Sequence, residues 1–120
     1  MSEDCIFCKI VRGEIPARKV FENDEMLAFH DIHPLRPVHL LLIPKKHIAS
    51  LAGVGPEDAP LLGNMMAAAN RLAVEAGSPE GFRLIVNVGS IGGQEVPHLH
   101  FHIVGGPEMV GPMLRRAENS

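Results

Sequence analysis

Three histidines stand at alternate positions in the run VPHLHFHIVGG, Val96–Gly106, and the residues between them are apolar. Side chains along a strand alternate with a period of two. His98, His100 and His102 are therefore expected on one face of a strand, with Leu99, Phe101 and Ile103 on the other. One face is free to pack against a core and the other to do chemistry.

The rest of the chain supplies the partners such a strand needs. CIFCKIVRG is expected to form a short helical turn closed by Gly13, after which Pro16 forces an extended segment. RKVFEND and EMLAFHD read as two short strands joined at Asn23 and Asp24 in a hairpin. The prolines of IHPLRP forbid a helix, and VHLLLIP, apolar almost throughout, is a third strand expected near the centre of the sheet. KKHIASLAG is expected to be a short helix closed by Gly53. PEDAPLLGNMMAAANRLAVEAG is the one long helix, with Leu61, Leu62, Met65, Met66, Ala69, Leu72 and Ala73 at helical spacing and Gly77 as its stop. GFRLIVNVG is a fourth strand, SIGGQEVP a glycine-containing loop and HLHFHIVGG the fifth strand. Residues 107–120, with two prolines and no period, are expected to be irregular or to lean on a partner. The pattern predicts an α+β fold: a five-stranded antiparallel meander sheet with one long helix and a short N-terminal helix. A chain of 120 residues suits a single domain spanning 1–120.

Charge and composition remove several functions. The net charge is −3, and the only basic clusters, Lys45-Lys46 and Arg115-Arg116, read as solvated faces, which argues against a nucleic-acid partner. With no Trp or Tyr and five Phe, little surface exists for stacking bases. The acidic start MSEDCIFCKI has neither a basic n-region nor a long apolar stretch, so a cytoplasmic protein without a membrane partner is expected. In that compartment thiols stay reduced, making Cys5 and Cys8 candidates for metal binding or redox chemistry over a structural disulfide.

Three readings fit the histidine face. It is a polar sheet surface, a catalytic metal site in which H-x-H presents two nitrogen ligands, or a site where an imidazole attacks phosphorus. The loop before it bears on the choice. Gly89, Gly92 and Gly93 let backbone amides approach an anion, and Asn87 ends the preceding strand near the same spot. Neither a P-loop nor a G-x-G-x-x-G fingerprint is present.

HLHFHIVGG, preceded by GGQEVP, resembles the signature of the histidine triad (HIT) superfamily, and is most similar to its nucleotide-binding branch that hydrolyses nucleoside phosphoramidates. The likeness runs through CIFCKIVRGEIPARKVFENDEMLAFHDIHP, HLLLIPKKHI and GFRLIVNVGS to GPML, nearly the whole chain. It implies a HIT-like fold, a homodimer and a purine nucleotide ligand. It makes His100 the nucleophile and His102 the group that contacts phosphate and assists the leaving group, with His39 supporting the site from behind. The resemblance further implies that the amides around Gly93, Gln94 and Glu95 and the Asn87 side chain hold phosphate oxygens, that Asp31 binds both ribose hydroxyls, and that Phe7, Ile10, Ile15, Phe29, His30 and Ile32 enclose the base. The activity implied is release of a nucleoside 5′-monophosphate through a nucleotidyl-histidine; the alternative is a nucleotide-binding regulatory module with little turnover. Glu95 departs from eukaryotic members, which carry a phosphate-contacting serine there, so only its backbone N–H is carried over.

Cys5-x-x-Cys8 has zinc-knuckle spacing, and a closed tetrahedral site needs two more ligands. Some HIT proteins with this motif use the histidine of the PKKH segment and the first of the triad. Here those are His47 and His98, so the resemblance implies structural zinc on Cys5, Cys8, His47 and His98, with no catalytic cofactor. A redox pair and two metal-free thiols are the alternatives.

Overall fold

The computed structural model describes residues 4–112. Its elements are α1 (Ile6–Val11), β1 (Lys19–Glu22), β2 (Met26–His30), β3 (Val38–Pro44), two 3₁₀ turns (Leu51–Gly53 and Pro56–Asp58), α2 (Ala59–Ala76), β4 (Phe82–Ile85) and β5 (Phe101–Gly105). The hairpin falls at Asn23, whose Oδ1 accepts the amides of Glu25 and Met26 at 2.8 and 2.9 Å. Those bonds fix the turn locally. Gly77 closes α2 with φ of 116°, a left-handed conformation that costs glycine little.

All five strands are antiparallel, but in the order β1-β2-β3-β5-β4. The expected meander is therefore corrected at its end, where β5 inserts between β3 and β4. Burial explains the choice. β5 is buried at four of its five positions and needs a neighbour on each side, whereas β4 is only half-buried and tolerates an edge.

Strand alternation divides the core in two. Met26, Ala28, Leu40, Leu42, Phe101 and Ile103 face α2, where they meet Met65, Ala69, Leu72 and Ala73. Leu27, Phe29, Leu41 and Ile43 face the other way and pack on Cys5, Phe7, Cys8 and Ile10 at α1. β3 feeds both layers and is buried at every position, as its apolar run predicts. His39 lies between Val38 and Leu40 and so joins the α1 side. That face becomes the site.

Two expected elements differ. Residues 47–50 are not helical, and only Leu51–Gly53 makes a 3₁₀ turn, capped by Ser50 Oγ on the Ala52 amide at 3.1 Å. The Ile48 carbonyl instead accepts the Leu99 amide, far along the same chain, at 2.7 Å, where a helix would have used that carbonyl itself. The strand expected from His98 begins only at Phe101. Pro97 and the His98 amide, bonded to the Val96 carbonyl at 2.8 Å, bend the chain just before it. Residues 107–112 have no regular secondary structure, in line with expectation; the remainder of that tail lies outside the described residues. No helix among the described residues is long and apolar enough to cross a membrane.

Candidate active site and metal centre

A cavity of about 410 Å³ opens between α1 and the sheet. Its walls include Phe7, Ile10, Phe29, His30, Asp31 and Ile32 from the first half of the chain, and Asn87, Gly93, Glu95, His100 and His102 from the second. Ile6, Leu41 and Val96 also line it. Their apolar character made them look like ordinary core, and only the fold shows otherwise. Ile15 does not line the cavity; it packs against the core layer beneath α1.

Hydrogen bonds to groups of known polarity assign the imidazole protons. The His98 carbonyl can only accept, so His100 Nδ1, 2.7 Å away, carries the hydrogen and donates it. His100 Nε2 is left with a bare lone pair. On β3 the logic reverses. The Leu35 amide donates to His39 Nδ1 at 3.0 Å, so the His39 proton sits on Nε2, which faces His102 Nδ1 at 3.0 Å and Asp31 Oδ2 at 3.4 Å. His102 Nδ1 accepts, and the proton of His102 resides on Nε2. One ring presents a bare lone pair and its neighbour, with its centroid 5.0 Å distant, presents a hydrogen.

Burial favours the neutral forms of His39 and His102. His102 is pushed down to about 4, first by desolvation and then by repulsion from His100 and His39. His39 is lowered by burial, against the opposing charge of Asp31. A neutral imidazole is the form able to attack an electrophile.

The glycine loop differs from expectation in one respect. The Gly93 amide donates to the Ser90 carbonyl at 3.2 Å and the Gln94 amide to the Gly89 carbonyl at 3.0 Å, so that of the three only the Glu95 amide has no partner among the described residues. The Gln94 side chain is also committed, to the Ala49 and Val96 carbonyls and the Gly89 amide. Gln94 therefore braces the loop. Asn87 donates from Nδ2 to the Gly92 carbonyl at 2.7 Å. That bond holds the loop beside the cavity.

Two clusters have metal-ligand composition: Cys5, Cys8, His47 and His98, and Asp31, His39 and His102; within each, the donor atoms lie within 4.8 Å of one another. Their proton patterns separate them. In the first, Cys5 Sγ is 3.2 Å and Cys8 Sγ 3.5 Å from His98 Nδ1, and Cys8 Sγ is 3.2 Å from His47 Nδ1. A zinc tetrahedron has S···N edges of about 3.6 Å by the usual bond lengths. His98 Nε2 donates to the Pro44 carbonyl at 2.9 Å, which orients the ring and frees Nδ1 for a metal. Burial, then the adjacent Cys5, pushes the Cys8 thiol up to about 11, so without a cation the pair is poorly suited to redox chemistry. In the second cluster His39 cannot offer Nε2 to a metal while Nδ1 accepts the Leu35 amide. That cluster is wired for protons.

The model of the HIT domain family matches residues 12–109. The chain belongs to the HIT family. The purine nucleoside phosphoramidase of Escherichia coli K12 is 44% identical to it over 95% of this chain and 96% of that protein. Among solved structures, a HIT family hydrolase from Legionella pneumophila is 53% identical, with a TM-score of 0.85 over 91% of this chain and 98% of that one. A Zn-bound histidine triad family protein from Mycobacterium smegmatis is 31% identical, with a TM-score of 0.78 over 98% and 86%. The HIT match begins after α1, so both cysteines stand outside the part of the chain that the family model describes.

Proposed function

We propose that this protein is a purine nucleoside phosphoramidase that works through a nucleotide covalently held on His100. The observation that carries the reading is the pair of opposed tautomers in one cavity: a bare His100 Nε2 beside a His102 whose proton is on Nε2. In the first step the lone pair of His100 Nε2 forms a bond to the α-phosphorus and the P–N bond breaks, the departing nitrogen taking a solvent proton that His102 relays, so that His102 ends the step neutral. In the second, water displaces the imidazole, loses its proton by the same route and releases the monophosphate. Asp31, with two acceptor oxygens at the cavity wall, holds the ribose hydroxyls, and Phe7, Ile10, Phe29, His30 and Ile32 enclose the base. The Glu95 amide and Asn87 contact the phosphate.

Cys5, Cys8, His47 and His98 would hold zinc, which would tie distant segments together without an open position for water. The same reading includes a cytoplasmic homodimer, for which the outer edge of β4, unpaired among the described residues, offers backbone groups.

The test is release of AMP from adenosine 5′-phosphoramidate by wild type and His100→Ala, before and after chelation under conditions where the fold persists. Turnover should survive chelation to a measurable degree and fall to background in the variant. Chemistry that stops completely on chelation, in protein shown still to be folded, would make the metal catalytic. Binding of AMP without turnover would leave a nucleotide-binding module.

A further inference from the structure

We propose that the Cys5–Cys8–His47–His98 centre positions the nucleophile, so that metal occupancy there and nucleotide occupancy of the cavity are thermodynamically coupled. The inference rests on His100 being the nucleophile and on the four residues being a metal site.

His98 belongs to both places at once. Its ring meets both sulfurs through Nδ1 and the Pro44 carbonyl through Nε2, while its own carbonyl accepts the His100 Nδ1–H at 2.7 Å. That last bond is what leaves His100 Nε2 unprotonated. The ring is completely buried and fixed at both nitrogens, so a metal on Nδ1 fixes residue 98, and with it the carbonyl that sets the tautomer and direction of the His100 imidazole.

A second connection runs through α1. Cys5 caps this helix and Cys8 lies within its first turn, and between them sit Ile6 and Phe7, both on the cavity wall. The Phe7 ring contacts His98 at 5.8 Å, His100 at 5.3 Å and Phe29 at 5.7 Å between centroids, all edge-on. A helix of six residues has too few hydrogen bonds to hold itself together and takes its position from what it is attached to. The two sulfurs are one of its attachments. A cation drawing them onto His47 and His98 therefore seats the wall of the nucleotide cavity against the nucleophile.

Coupling of this kind is reciprocal: whatever factor the metal adds to nucleotide affinity, the nucleotide adds to metal affinity. The experiment uses the full-length zinc protein and AMP. Zinc affinity is measured by competition with a chromophoric chelator, without AMP and at saturating AMP, and AMP affinity by calorimetry with and without zinc. The expected result is tightening of zinc by roughly five- to tenfold, within the usual range of allosteric coupling, and an equal loss of AMP affinity on zinc removal.

A second measurement stays within folded protein, whatever the stability of the metal-free chain. Cobalt(II) replaces zinc, and its ligand-field bands are followed as AMP is added. They should shift along the saturation curve that calorimetry gives for the same sample. Bands that stay fixed while AMP binds, or a zinc affinity indifferent to AMP, would overturn the coupling and leave the metal a remote staple. No binding of AMP with zinc present would overturn the functional reading itself, a result distinct from binding without coupling.

Discussion

His39 touches no expected substrate atom, yet the Leu35 amide makes it the residue that decides where the His102 proton sits. His39→Leu removes both bonds. It should lower kcat on the order of 10²-fold with a smaller change in KM, because ground-state contacts in the cavity remain. Steady-state kinetics on adenosine 5′-phosphoramidate would show the split, and equal changes in both constants would point to a collapsed cavity instead. His102 gives a second prediction. Its folded-state pKa of about 4 lies below the ordinary 6.5, so the unfolded chain takes up a proton first as pH falls. Its contribution to stability is complete above about pH 6.5 and is lost as pH drops toward 4. Urea midpoints at pH 7 and pH 5 should differ less in His102→Gln than in wild type. At this scale the residue types and spacings were legible: His100, His102, His39 and Asp31 come to one place. The direction of each proton was not, because it depends on backbone groups such as the Leu35 amide and His98 carbonyl that no side-chain pattern records.

Among the elements, β5 is the most constrained. Gly105 ends it where an added Cβ would collide with Ser78, whose Oγ donates to the Gly81 carbonyl and accepts the Gly106 amide at 3.0 Å. Gly105→Ala should destabilise the protein by about 1–3 kcal/mol, the usual cost of overpacking, as read by chemical denaturation. A fully stable variant would mean that Ser78 moves freely. β1 and β2 were visible from the Asn23–Asp24 turn between them, β3 from its continuous apolar run and α2 from its helical period. Residues 98–100 follow the strand period too, but Pro97 and the pull of Cys5 on His98 override it. Residues 47–50 looked helical only because nothing nearby in sequence announces the bond from Leu99 to Ile48. Local pattern fails where a distant partner claims the backbone.

Across the whole molecule, the cysteine and histidine centre joins residues 5 and 8 to 47 and 98. A metal there closes two long loops, and closing loops removes conformations from the unfolded chain. Binding only to the folded form adds RT ln(1 + [L]/Kd), so a strong chelator should lower the thermal midpoint and excess zinc should restore it. Scanning calorimetry in each condition checks this, and an unchanged midpoint would argue against a bound metal. That these four residues come together was legible in the sequence, Cys5 and Cys8 through their spacing and His47 and His98 through the resemblance. The strand order was not, since neighbouring strands in sequence are usually neighbours in space and β4 and β5 are exchanged relative to that habit.

That exchange bears on how the protein is made. Synthesis delivers β4 before β5, yet β4 has no place beside β3 until β5 arrives to lie between them. A nascent chain halted anywhere short of residue 101 has a gap in its sheet where His102 belongs, and His39 waits on β3 without its partner. The last of the described strands to leave the ribosome completes the hydrogen-bonded sheet and the proposed site in the same event. On the proposed function a copy halted before β5 would release no nucleotide, and the onset of turnover during translation would serve as a clock for this step of folding.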